Sequence, residues 1–345
     1  MNKYLVSFAS LSLIILVLLL IQRLAFETKP LGTSFSYPAS SASLSHPLSI
    51  EVMRSTDYPG SDITIEQTLE SGFGFNQYVV SYKSEGLKIN ALLTVPIGVQ
   101  PDEGWPVIIF DHGYISPSIY RTTERYIAYI EAFASSGYIV FKPDYRGHGS
   151  SEGQPEGAYY SPAYANDVLN ALASIKKYPG VNPAKIGMWG HSMGGNITLR
   201  SLVVRPDDIK AAVIWGGVVG TYDDLMNNWQ RRVAYSPTPQ ELTLRHRSRS
   251  QLIEQFGTPQ ANPDFWHSID PNFYLSDIKA PIQLHAGLLD EEVPWQFSEG
   301  LDRRLKEAGK SSEFFSYENG DHNISDPNFS MAMQRSVDFF DKYLK

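Results

Sequence analysis

A chain of 345 residues, 42% hydrophobic and 19% charged, can build a large core and is not composed like a disordered protein. Its 29 basic and 37 acidic residues leave a net charge of −8, which excludes a general nucleic-acid binder working through a basic face. The lack of cysteine excludes disulfides, thiolate metal sites, iron–sulfur clusters and a cysteine nucleophile.

Tyr4 to Ile21 is uncharged and apolar on every face. As a helix it would span ~27 Å, close to the hydrocarbon thickness of a bilayer. A cleaved signal peptide would need small residues soon after this run, but Gln22-Arg23-Leu24-Ala25-Phe26-Glu27 follows. Residues 1–27 are therefore expected to be an uncleaved single-span membrane anchor, with secretion after signal cleavage as the alternative. Flanking charge is nearly balanced between Lys3 on one side and Arg23 and Lys29 on the other. An extracytoplasmic catalytic part is the default expectation. The Ser-, Pro- and Ala-rich stretch 28–47 reads as a flexible linker, and the folded domain as 48–345.

Gln77 to Val95 has the alternation of a β-hairpin turning at Glu85-Gly86. Short apolar runs follow at Val107–Phe110, Tyr138–Phe141, Lys185–Trp189, Ala211–Trp215 and Pro281–His285, with Glu313–Tyr317 as a last candidate. Runs apolar on both faces suit central parallel strands covered by helices. Helical patterns lie between them at Arg121–Ser136, from Ser161-Pro162 onward, and at Asn196–Val204, Phe297–Ala308 and Met331–Leu344. The fold class is α/β, a doubly wound, mostly parallel sheet with an antiparallel start. Residues 219–277 separate two strands by about sixty positions, and that length predicts an inserted helical lid or cap. Its basic cluster, Arg245, Arg247 and Arg249, reads as a solvated helix face, with a clamp for an acidic substrate group as the sharper alternative.

Gly190-His191-Ser192-Met193-Gly194 stands between a predicted strand and a predicted helix. Glycines two residues before and after the serine let the backbone turn sharply, so that the hydroxyl stands above the sheet at a helix N-terminus. A serine hydroxyl needs a base, and the base an orienting acid. His322 follows the last strand in a loop at its C-terminal end, where α/β sheets place their sites. His285 lies in an apolar strand as a core histidine, and His267 and His246 fall in the lid region. Asp290 lies past a strand end, with Glu291 and Glu292 as neighbours that could substitute. Serine, acid, histidine is the chain order this type of fold uses. For a developing oxyanion, the backbone N–H of Met193 and that of Tyr114, after Asp111-His112-Gly113, are the candidate donors. His112 reads as a structural hydrogen-bonder.

These blocks, with Asp144-Tyr-Arg-Gly-His-Gly-Ser150, Gly287, Val293-Pro294 and Asp321-His322, resemble the α/β-hydrolase superfamily. Within it they are similar to the catalytic domain of the prolyl-oligopeptidase-like (S9) serine peptidases and related esterases. The resemblance runs from about Gln77 to the C-terminus. It implies Ser192 as nucleophile, Asp290 as acid, His322 as base, Tyr114 and Met193 around the oxyanion, and a structural role for the 144–150 loop that leaves His148 without a catalytic one. S9 oligopeptidases typically carry a β-propeller before this domain, whereas about thirty residues, 48–76, stand there in this chain.

The expected function is a serine hydrolase cleaving an ester or peptide bond through an acyl-enzyme. The alternatives are a carboxylesterase without peptidase activity and, from another class, a non-catalytic membrane-tethered binding protein. No H-E-x-x-H, dinucleotide or phosphate-loop pattern occurs, so neither metal nor cofactor is expected. The expected partners are a small ester or short peptide substrate and, through the N-terminal segment, the membrane.

Overall fold

The computed structural model describes residues 46–345 except 231 and 233–238, and for 239–247 the backbone alone. The expected membrane segment and the linker up to residue 45 lie outside the described residues. Among the described residues, no helix is long and apolar enough to cross a membrane.

A short helix, α1 (Ile50–Ser55), precedes strand β1 (Thr64–Thr68). The expected hairpin is present as β2 (Phe75–Ser84) and β3 (Leu87–Pro96). Ser84 pairs with Leu87 across Glu85 and Gly86, both at positive φ, which suits the twist of a two-residue hairpin loop. Strand β1 has no counterpart in the sequence reading. Its residues TIEQT are all exposed, so no apolar period marks it, and only its antiparallel pairing with β2 defines it.

The other strands are β4 (Trp105–Asp111), β5 (Ile139–Pro143), β6 (Val181–His191), β7 (Ala211–Trp215), β8 (Ile282–Gly287) and β9 (Ser312–Tyr317). They join one sheet in the order β1-β2-β3-β5-β4-β6-β7-β8-β9, parallel from β5 through β9. From β4 the chain runs to β5 on one side and later to β6 on the other. That switch opens a crevice at the strands' C-terminal ends.

The uniformly apolar strands still sort their side chains by alternation. Val107 and Ile109 of β4 enter one core with Ile214 of β7, while Ile108 and Phe110 enter the other with Trp215. Helices α3 (Ala163–Ile175), α4 (Met193–Val204) and α7 (Gln296–Glu307) cover the first face, and α2 (Ile127–Ser135) and α8 (Phe329–Leu344) cover the second.

Helix α2 starts six residues later than the sequence pattern suggests. Arg125 and Tyr126 both adopt left-handed φ, +64° and +56°, and no helix passes through two such residues. The 219–277 connection holds a π-helical turn at Asp224–Asn228, then α5 (Pro239–Phe256) and α6 (Pro263–Ile269). Tyr222, Leu252, Phe265, Trp266 and Ile269 form a separate apolar cluster with Leu48, so the start of the described chain packs on this insertion.

Candidate active site

Ser192 sits between the end of β6 and the first residue of α4, with φ +54° and ψ −117°. For a non-glycine residue this conformation costs on the order of 1–3 kcal/mol and persists only where its surroundings enforce it. Here they do. The Ser192 N–H donates to the Trp215 carbonyl at 3.0 Å, and its own carbonyl accepts from Gly195 and Val218 at 3.0 and 2.9 Å.

The flanking glycines answer to space. A Cβ on Gly194 would fall 1.8 Å from the Asp111 carbonyl oxygen, and one on Gly190 would lie 2.4 Å from Thr198 Oγ1. Helix α4 therefore starts in backbone contact with β4. Met193 opens that helix, so its N–H is among the first four, which have no intrahelical acceptor.

His322 lies in the loop between β9 and α8. Its Nδ1 donates to Asp290 Oδ2 at 2.7 Å, and both side chains are nearly fully buried. Asp290 Oδ1 accepts the N–H groups of Glu292 and Val293 at 2.8 and 2.9 Å. The carboxylate is thus fixed by the turn after β8. Its other oxygen holds the imidazole proton on Nδ1 and leaves Nε2 as the basic nitrogen.

Ser192 and His322 both line a cleft of about 620 Å³, with Gly113, Tyr114, Ile115, Ile119 and Glu292 among the other wall residues. Among the described residues no hydrogen bond joins Ser192 Oγ to His322. Such bonds are often long in a free enzyme and tighten when substrate is bound.

The structure therefore brings Ser192, Asp290, His322, Tyr114 and Met193 to one end of the sheet, and it leaves His285 and His267 outside the cleft lining. His285 is buried, with its two nitrogens on Tyr317 Oη and Gln283 Oε1 at 2.8 and 2.7 Å, and burial pushes it down to about 3. His267 stacks on Phe273 with 3.7 Å between ring centroids. His112 donates from Nδ1 to the Gly113 carbonyl at 2.7 Å and stacks on Tyr145 and Tyr120. His148 is buried within the 144–150 loop. Of the basic cluster, the side chains of Arg245 and Arg247, like that of His246, lie outside the described residues.

In the 144–150 loop, Asp144 accepts hydrogen bonds from Tyr120 Oη and Thr122 Oγ1, and Arg146 is bound to Asp167. Arg125, Tyr126, Tyr129 and His191 also line the cleft. Sequence reasoning gave His191 no role, and it passed over Arg125, Tyr126 and Tyr129 because 121–136 resembles one continuous amphipathic helix. Only the left-handed pair at 125–126 turns these side chains into the site.

Comparison with known proteins bears on the class of enzyme. The family model described as serine aminopeptidase, S33, matches residues 106–265. An uncharacterized peptidase of Bacillus subtilis, YtmA, is 27% identical over 245 residues, covering 71% of this chain and 85% of its own length. Among solved structures, the acylaminoacyl peptidase of Pyrococcus horikoshii superposes with a TM-score of 0.62 at 23% identity, over 79% of this chain and 42% of that one. An acetyl xylan esterase from Paenibacillus sp. R4 gives 0.61 at 17% identity, over 86% and 92%. The chain has the α/β-hydrolase fold. It is a serine hydrolase of the peptidase and esterase group. It spans less than half the length of the acylaminoacyl peptidase and 36% of a Porphyromonas gingivalis dipeptidyl peptidase 4 that shares its fold.

Proposed function

We propose that this hydrolase cleaves carboxylic esters or short peptide amides through an acyl-enzyme on Ser192. In this reading His322 Nε2 takes the Ser192 proton as Oγ attacks the substrate carbonyl, then returns it to the leaving group. Water repeats the cycle to release the acid. Asp290 keeps the imidazole in the reactive tautomer and stabilises the imidazolium. The N–H groups of Met193 and Tyr114 receive the oxyanion. The observation that carries the proposal is the 2.7 Å His322–Asp290 pair on the same cleft as a serine held at positive φ.

Labelling with a fluorophosphonate probe tests it, with Ser192→Ala as blank. Covalent label on Ser192 of the folded protein supports the reading, and its absence supports a non-catalytic binding protein. Within the class, peptide cleavage follows the naming of the sequence relatives. Ester cleavage is favoured by the fit over 92% of an acetyl xylan esterase, a similarity of fold. Parallel turnover of p-nitrophenyl esters and aminoacyl-p-nitroanilides separates the two.

The location stays a proposal as well: attachment to a membrane through Tyr4–Ile21 with the hydrolase on the outer side. Fractionation of the full chain, followed by protease treatment of intact cells, decides between this and release after signal cleavage.

A further inference from the structure

His191, next to the reacting serine, and Tyr126 form a hydrogen-bonded bridge across the floor of the cleft. The Gly113 N–H reaches Tyr126 Oη at 3.0 Å, Tyr126 Oη lies 2.8 Å from His191 Nδ1, and His191 Nε2 lies 3.0 Å from the His322 carbonyl oxygen. The direction of each bond is fixed by its ends. An amide N–H only donates and a carbonyl oxygen only accepts, so His191 carries its proton on Nε2 and Tyr126 donates to the bare Nδ1. Burial, reinforced by the neighbouring His322, pushes His191 down to about 3, so the ring stays neutral through the working pH range.

The bridge has no slack. A Cβ on Gly113 would meet Tyr126 Oη at 2.7 Å and His191 Nδ1 at 3.1 Å. At its far end the loop of His322 has a second tie, since Tyr129 Oη donates to the Asn323 carbonyl at 2.9 Å. The two tyrosines stand at the start of α2, where Arg125 and Tyr126 are held in the left-handed region. Backbone strain of this kind, concentrated on a cleft wall, is retained where the geometry it creates is needed.

We infer that Tyr126 and His191 are positioning residues for the reaction assigned above, setting the separation of the loop carrying the Tyr114 N–H from the loop carrying His322. Neither touches the reacting atoms. Gly113 precedes one oxyanion donor, Ser192 follows His191, and the bridge ends on the backbone of the base itself. A neutral His191 also suits its place 4.6 Å from the His322 ring, centroid to centroid, because a charged one would oppose formation of the imidazolium. The inference rests on the acyl-enzyme reading.

The test measures p-nitrophenyl ester turnover per Ser192 titrated with fluorophosphonate, so unfolded protein does not count. The variants are Tyr126→Phe, His191→Leu, His191→Gln and the Tyr126→Phe/His191→Leu pair. Misplacing a base or an oxyanion donor by a fraction of an ångström is expected to lower kcat about tenfold in His191→Leu, with KM changed less than about twofold. His191→Gln, whose amide can again donate to the His322 carbonyl, recovers at least about a third of the wild-type rate. The pair loses less than the product of its singles, because they share one bond.

An unchanged kcat per titrated serine in His191→Leu, no recovery with glutamine, or losses that multiply in the pair would each overturn the inference. A wild-type chain that takes no label fails the earlier reading instead.

Discussion

Gly216 packs against the Asp290–His322 pair: a Cβ built on it would stand 3.2 Å from His322 Nδ1 and 3.4 Å from Asp290 Oδ2. Its φ of +51° adds a second demand for glycine. Gly216→Ala is therefore expected to cost about 1–2 kcal/mol of stability from the left-handed backbone alone. It should also lower kcat several-fold by displacing the imidazole. Urea unfolding and ester turnover on the same preparation separate the two effects, and unchanged turnover would contradict the contact.

Asp290→Asn should keep the turn while reversing the polarity at His322. The asparagine carbonyl can accept from Glu292 and Val293, as Oδ1 does in the wild type. Its amide then donates to Nδ1 and drives the ring proton onto Nε2, where a base must be bare. A loss of kcat on the order of 10³–10⁴, with a near-native melting temperature, is expected. Stopped-flow acylation with a p-nitrophenyl ester checks it.

Asp111 gives the fold a pH dependence of its own. Burial pushes its carboxyl up to about 8, opposed in part by the 2.6 Å hydrogen bond from Thr198. In the unfolded chain it titrates near ~4. Between these values the folded protein holds a proton that the unfolded chain has released, so this contribution is full below about pH 4 and falls as pH rises to about 8. Unfolding free energies at pH 5 and pH 8 should differ less in Asp111→Asn than in wild type, by about 1 kcal/mol or more. An equal slope in both proteins would contradict the assignment.

Arg146 and Asp167 anchor the loop beside the site. Nη2 and the backbone N–H of Arg146 both reach the Asp167 carboxylate at 2.8 Å, and the Asp167 side chain is fully buried. Asp167→Ala leaves the guanidinium with only part of its neutralisation, Glu85 and Glu156 being half-exposed. A loss of about 3–5 kcal/mol is expected from chemical denaturation. Asp167→Asn should cost less, because it keeps acceptor capacity on the same shape.

Much of this was legible in the sequence for local reasons. The β4 and β7 runs are apolar because both sheet faces are covered, and the motif around Ser192 is dictated by how closely α4 approaches β4. What escaped is what depends on distant partners. Strand β1 is polar and exists through its pairing with β2, so alternation could not reveal it. Tyr126 and Tyr129 have helical spacing, and the pattern carries no mark of the left-handed residues that turn Tyr126 toward Gly113. Helix α1 is six residues long, too short for a period to show.

The 1.8 Å that a Gly194 side chain would leave to Asp111 has a bearing on how this scaffold can change. The first turn of α4 and the end of β4 meet main chain against main chain, with nothing in between to trim or enlarge. Selection for a new substrate, in nature or in the laboratory, finds no adjustable part at the centre. Substitutions that reshape the cleft without disturbing this contact fall on its wall, at Ile115, Ser116 and Ile119.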